Sequence, residues 1–251
     1  MPPSLILFDL DETLFDHTYA SRCALAALRQ SHARLGSVPI ARLEAVSSRI
    51  LEETHRRVLD GAIGLAAARL ERQRLLFAAF GLRPGGSELE RASLLYREAY
   101  LRSRRPVRGA RELLGALFGG HLIGIVTNNF REEQESKLRH CGLADRVHFM
   151  VTSEETGVPK PERAIFEAAL ERASTSGADA VMVGDNWSSD VLGARNAGIR
   201  AVWFNRRRAR PPASDPVSEI HSFLPTGEAR NLILGSGVGG SGGIPEAGRD
   251  R

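Results

Sequence analysis

The stretch Ser4-Leu5-Ile6-Leu7-Phe8-Asp9-Leu10-Asp11-Glu12-Thr13 joins a short apolar run to an acidic cluster. An apolar run that is continuous rather than alternating suits a strand covered on both faces. Its carboxyl end then presents Asp9 and Asp11, and in open parallel sheets that is the end where ligands bind. One strand is not stable alone, so its partners must lie elsewhere in the chain. They follow Pro106, where apolar runs alternate with helical patterns. The pattern predicts strands over His121–Val126, Val147–Thr152, Ala180–Val183 and Arg200–Phe204. It predicts helices over Gly109–Phe118, Phe130–Cys141, Glu162–Ala173 and Ser189–Ala197, and an edge strand within Pro216–Leu224. Strands separated by helices imply a parallel sheet with helices on both faces.

From Asp16 to Arg105 the pattern changes. Ala, Leu, Arg and Glu dominate, and leucines recur at helical spacing, as in Leu25 and Leu28 or Leu70, Leu75 and Leu76. Breaks near Gly36–Pro39, Gly61–Gly64 and Gly81–Gly86 divide the segment into about four helices. The expectation is therefore an α/β fold: a Rossmann-like parallel-sheet core from residues 1–15 and 106–230, with a helical-bundle cap inserted over 16–105. A Gly-rich tail over 231–251 has too little apolar content to bury a core and is expected to be disordered.

Composition narrows the setting. The 251 residues are 42% hydrophobic and 25% charged, an ordinary globular balance. No apolar run approaches the ~18 residues of a membrane helix, and the start lacks the features of a secretory signal. Two cysteines, Cys23 and Cys141, are too few for a disulfide framework, so a cytoplasmic setting is expected. The net charge is +4, but the arginines are spread along the whole chain, so no nucleic-acid partner is expected. Only two of the 34 Lys and Arg residues are lysines, Lys137 and Lys160. Where such a chain keeps a lysine, its chemistry can require a compact ammonium.

Four strand ends carry polar groups. Asp9 and Asp11, two apart, repel each other unless a cation or proton intervenes, and hard oxygen ligands suit magnesium; a helix N-cap is the alternative. Thr127 and Asn128 follow the second strand, with groups that can bind phosphate oxygens or simply form a turn. Lys160 stands between Pro159 and Pro161 before a helix, a place that favours a lysine if an anion sits there too. Asp185 follows Val183-Gly184, placed to complete a metal site, and Asp190 is placed to brace it from the next helix.

In this order and spacing the four motifs resemble those of the haloacid-dehalogenase-like (HAD) hydrolases, from Ser4 to about Leu224. The helical insertion after the first motif is similar to that superfamily's cap of the first type. Phe8-Asp9-Leu10-Asp11-Glu12-Thr13-Leu14-Phe15 looks most like the pyrimidine 5′-nucleotidase and N-acylneuraminate-9-phosphatase branches. The resemblance implies a phosphatase in which Asp9 attacks phosphorus and Asp11 serves as acid and then base. Mg²⁺ would be held by Asp9, the Asp11 backbone carbonyl and Asp185. Thr127, Asn128 and Lys160 would bind the transferring phosphoryl group, with Asp190 in support. Dehalogenase branches lack a carboxylate equivalent to Asp11, which favours phosphate chemistry; a phosphomutase or a catalytically silent binding module are the alternatives. The expected partner is a small nucleotide or sugar phosphate monoester. His17, Tyr19 and the Gly61–Gly64 loop are candidates to face the leaving group; Arg56 and Arg57 are candidates to meet a second anionic group, with a solvated helix face as the alternative. The sequence is silent on oligomeric state.

Overall fold

The structure, a computed structural model, describes residues 2–212 and 216–235. Six strands form one sheet: β1 (Leu5–Phe8), β2 (Leu122–Thr127), β3 (Phe149–Thr152), β4 (Ala180–Gly184), β5 (Arg200–Phe204) and β6 (Ser218–Ile220). All pairings are parallel, in the order β3-β2-β1-β4-β5-β6. The opening apolar run is thus a central strand, with Leu5 opposite Leu122 on one side and Ala180 on the other.

Successive β1 side chains leave opposite faces of the sheet and enter two separate cores. Ile6 and Phe8 pack with Leu113 and Leu114 of α6 (Ala110–Leu117). Leu5 and Leu7 pack with Ile165 and Phe166 of α9 (Arg163–Arg172). All four β1 side chains are fully buried, each worth about 1.5–3 kcal/mol over exposure. Between these elements lie α7 (Arg131–His140) and the one-turn α8 (Ser153–Thr156).

The insertion forms α1 (His17–Ser31), a single turn α2 (Ala33–Gly36), α3 (Ile40–Leu59), α4 (Leu65–Ala79) and α5 (Gly86–Arg102). These helices bury a core of their own, including Leu25, Leu28, Leu43, Leu76 and Phe77. Cap and sheet meet where the two connecting strands of chain run side by side. Val107 N–H donates to the Leu14 carbonyl at 2.8 Å, and Asp16 N–H to the Arg105 carbonyl at 3.1 Å. The Arg105 guanidinium returns two hydrogen bonds to Asp16 Oδ2, at 2.8 and 3.0 Å. No helix among the described residues is long and apolar enough to cross a membrane.

Two expectations need correction. The helix predicted over Ser189–Ala197 begins earlier, as a π-helical turn Trp187–Leu192 followed by α10 (Gly193–Asn196). The tail expected from residue 231 starts too soon: residues 231–234 complete α11 (Thr226–Leu234), whose Ala229, Ile233 and Leu234 are buried in the sheet core. The adjoining glycine-rich composition masked the short apolar face of that helix. Residues 236–251 lie outside the described residues.

Candidate active site

Asp9 leaves the end of β1 with its N–H bonded to the Val183 carbonyl of β4 at 2.9 Å. Asp185 leaves the end of β4, its N–H donated to Thr13 Oγ1 at 3.1 Å and its carbonyl accepting from Trp203 Nε1 at 2.8 Å. Asp190 reaches the same place from the π-helical turn. Gly184 makes that approach feasible: a Cβ there would lie 2.3 Å from Asp190 Oδ2. Among the described residues, Asp9, Asp185 and Asp190 bring one oxygen each within 4.8 Å of one another.

Lys160 threads into this group and is buried. Its ammonium donates to Asp9 Oδ1, Asp190 Oδ1 and the Val126 carbonyl, each at 2.7 Å. All three of its protons are therefore used. Asp190 is equally committed, since its Oδ2 accepts from Asn186 N–H at 2.9 Å. It positions Lys160 and the strand-end loop. Asp9 Oδ2 accepts no hydrogen bond among the described residues, and Asp9 lines the cavity above.

Electrostatically the cluster is short of positive charge. Burial, against the opposing Lys160 and together with Asp190, pushes the Asp9 carboxyl well above the usual range. Burial, Asp9 and Asp190 do the same to Asp185. For Lys160 burial is outweighed by Asp190 and Asp9, which hold it charged. Three carboxylates sharing one ammonium suit a hard divalent cation, because oxygen donors and excess negative charge are what such an ion requires. The donor set therefore fits Mg²⁺, with Asp9 and Asp185 retaining the free oxygens.

A second cluster sits beside the first. Asp11 turns its carboxylate toward α7, where Lys137 donates to Oδ1 at 2.6 Å and to Oδ2 at 2.8 Å. Gln134 Nε2 adds 3.0 Å to Asp11 Oδ2 and 2.6 Å to Thr127 Oγ1. Burial would raise the Asp11 carboxyl, but Lys137 and a contribution from His17 hold it below the usual range. Lys137 and Gln134 were missed as site residues, although the scarcity of lysine offered a signal: both lysines of the chain are buried here, at 4% and 3% exposure.

A cavity of about 510 Å³ opens above both clusters, between sheet and cap. Thr127 and Asn128 line it, yet the Asn128 side chain is spent on the backbone of Lys160. Its Oδ1 accepts from Lys160 N–H at 2.6 Å and its Nδ2 donates to the Lys160 carbonyl at 2.9 Å. It fastens two strand-end loops together. From the cap, His55 Nε2 donates to the Asn128 carbonyl at 2.8 Å. His17 lines the cavity as anticipated, with Nδ1 2.8 Å from Tyr100 Oη. Tyr19 lies elsewhere under the Arg105 guanidinium, 3.2 Å from its ring centroid, and Arg56 and Arg57 are exposed. The cationic groups that α4 brings to the cavity are instead Arg69 and Arg72.

The sequence pattern of the haloacid dehalogenase-like hydrolases matches residues 3–198. The chain is 33% identical over 238 residues to the ribulose-1,5-bisphosphate 5-phosphatase of Halopiger xanaduensis, across 91% of this chain and 98% of that one. It is 43% identical over 123 residues to the pyrimidine 5′-nucleotidase YjjG of Escherichia coli, a match that takes in 47% of this chain and 55% of YjjG. The chain thus spans about half the length of that relative. Among solved structures it is similar in fold to the Bacillus subtilis hydrolase YfnB bound to magnesium, with a TM-score of 0.74 and 24% identity over 92% of this chain and 100% of that one.

Proposed function

The chain belongs to the haloacid dehalogenase-like hydrolases, and from that premise we propose that it is a magnesium-dependent phosphatase whose nucleophile is Asp9. The observation that carries this reading is the convergence of Asp9, Lys160, Asp185 and Asp190 at the ends of β1 and β4, with Asp11 alongside. Asp9, which lines the cavity, attacks phosphorus through a carboxylate oxygen, forming an aspartyl-phosphate and releasing the alcohol. Lys160 favours the ionised form of Asp9 against its burial and offsets the charge gathering on the phosphoryl oxygens. Thr127 and the backbone N–H groups after β2 orient those oxygens. A bound magnesium ion, held by Asp9, Asp185 and the Asp11 carbonyl, would neutralise phosphate charge.

Asp11 delivers a proton to the leaving oxygen and then takes one from the water that hydrolyses the aspartyl-phosphate. Its ion pair with Lys137 favours the ionised form, the one that activates water. Lys137 thereby sets the basicity of Asp11 and so acts on both halves of the cycle. The relatives described above act, by their names, on a nucleotide and on a sugar bisphosphate, which supports a small phosphorylated metabolite as substrate.

The test is release of inorganic phosphate from p-nitrophenyl phosphate with and without Mg²⁺. The expected result is turnover that chelation abolishes and that Asp9→Asn lowers by about 10⁴-fold or more. Full activity after chelation, or an active Asp9→Asn enzyme, would overturn the reading. With a sugar phosphate in place of p-nitrophenyl phosphate, recovery of an isomerised ester instead of free phosphate would mark a phosphomutase.

A further inference from the structure

Arg72 lies on α4, one turn beyond Arg69, and both line the cavity. Their situations differ. Arg69 is paired with Glu133 through a 2.5 Å contact, and Arg97 stands 3.8 Å from the same carboxylate. Arg72 has no carboxylate within ion-pairing distance among the described residues. Its Nε donates to Thr54 Oγ1 at 2.8 Å. That hydroxyl is itself pinned, donating to the Ile50 carbonyl at 2.7 Å, and Thr54 is fully buried. The anchor fixes the plane of the guanidinium and leaves its two terminal nitrogens without a protein acceptor among the described residues. Burial accordingly pulls the Arg72 pKa down, with Arg69 adding repulsion.

A desolvated cation without a counter-charge is costly. The carboxylate that Arg72 feels is Glu133, which lies beyond ion-pairing distance of it and is already engaged by Arg69 and Arg97; the other cavity groups near it are His17, His55, Tyr96 and Tyr100. The same wall holds a second unsatisfied group, the buried Gln73 Oε1, which has no hydrogen-bond partner. Arg72, His17 and Asp11 line the same cavity. A guanidinium held with its fork open is matched by two oxygens of one anion.

We propose that Arg72 binds a second anionic group, carboxylate or phosphate, carried by the alcohol portion of the substrate, so that the substrate class is a phosphomonoester of a small acid. This rests on the phosphatase reading and narrows it. The anion completes the charge balance of the cap wall and orients the ester oxygen toward Asp11.

The experiment compares kcat/KM within matched pairs. One arm is a homologous series of ω-phosphooxyalkanoates, each beside its primary amide; the other is a series of alkanediol bisphosphates, each beside its monophosphate. The expected result is a preference of about 10²-fold for the anionic member at the best chain length, in the range set by a buried group left unpaired. The arm with the larger preference identifies the anion. In Arg72→Gln the preference should collapse to within about 3-fold, mainly through KM; in Arg72→Lys it should be partly retained, since the charge stays and the fork is lost. A purely structural role would lower both members of a pair equally. Equal turnover within the pairs of both arms by the wild-type enzyme overturns the proposal, and that comparison stands even if a variant does not fold. An unchanged ratio in Arg72→Gln also overturns it. Absence of phosphate release from every ester, p-nitrophenyl phosphate included, would instead remove the phosphatase reading and this inference with it.

Discussion

On the sheet side of the cavity, Lys160 commits all three ammonium protons and Lys137 bridges both oxygens of Asp11. On the cap side, Arg72 meets no carboxylate and Gln73 Oε1 no donor among the described residues. The two walls thus differ in where their missing partners come from. The sheet side is assembled in advance, as a site that stabilises developing charge must be. The cap side is left incomplete for a ligand to finish. Reaction type and substrate choice are therefore carried by separate elements, and substitutions on the two walls should have different signatures.

Lys160 should give the largest combined effect. Lys160→Met strands Asp9 and Asp190 as buried charges, so urea unfolding should show a loss of about 3–5 kcal/mol. Lys160→Arg keeps the charge but not the shape, and phosphate release should fall by at least ~10²-fold. A variant that keeps normal turnover would mean the sheet side is not preassembled. Lys137→Met should be milder, at about 10- to 10²-fold in kcat. Without the ammonium Asp11 holds its proton more tightly, so leaving-oxygen protonation is spared and hydrolysis of the aspartyl-phosphate, the step both esters share, should be slowed for alkyl and p-nitrophenyl phosphates alike, with phosphorylated protein accumulating in rapid quench. Slowing without accumulation of the phosphorylated protein would place Lys137 outside acid–base chemistry.

His17 probes the boundary between the walls. Burial lowers its pKa from 6.5 to about 4 in the folded protein. Between those values the unfolded chain binds more protons, so stability falls as pH drops from about 6.5 toward 4, by up to roughly 3 kcal/mol. His17→Gln removes that share. Urea midpoints of both proteins, taken near neutrality and near pH ~4.5, should converge at the acid end relative to the neutral end. A difference independent of pH would contradict the burial of a neutral imidazole. Smallest of all is Arg56→Ala, on an exposed part of α3: stability within about 0.5 kcal/mol of wild type, and turnover of p-nitrophenyl phosphate unchanged. A marked loss would draw the cap wall differently.

The sheet side was readable because strand ends announce themselves. Apolar runs stop at Asp9, Thr127 and Asp185, and parallel topology brings those stops together. Lys160 stood out against an arginine background. Lys137 had the same distinction but lies in Arg131-Glu132-Glu133-Gln134-Glu135-Ser136-Lys137, a run polar enough to read as a solvated helix. The spacing of three between Gln134 and Lys137 puts both on one helical face, and only tertiary packing turns that face inward. Cap-side recognition was harder still. Choosing Arg72 over Arg56 and Arg57 depends on how α3 and α4 rotate against the sheet, which leucine spacing leaves open. The end of α11 was lost for a different reason, since a short apolar face beside a glycine-rich stretch carries too few residues to show a period.

The burial of both lysines also governs how the protein meets amine chemistry. Acylating and reductive-alkylating reagents, which decorate lysines across an ordinary surface, find both ε-amine-bearing side chains of this chain buried in the folded protein. Lys160 is also held as an ammonium by Asp190 and Asp9, and an ammonium has no lone pair to offer an electrophile, while the Lys137 amine is engaged by both oxygens of Asp11. Side-chain labelling therefore waits for the cap to lift or the sheet edge to open. In most proteins lysine modification maps the exterior; here its rate is a clock for conformational opening.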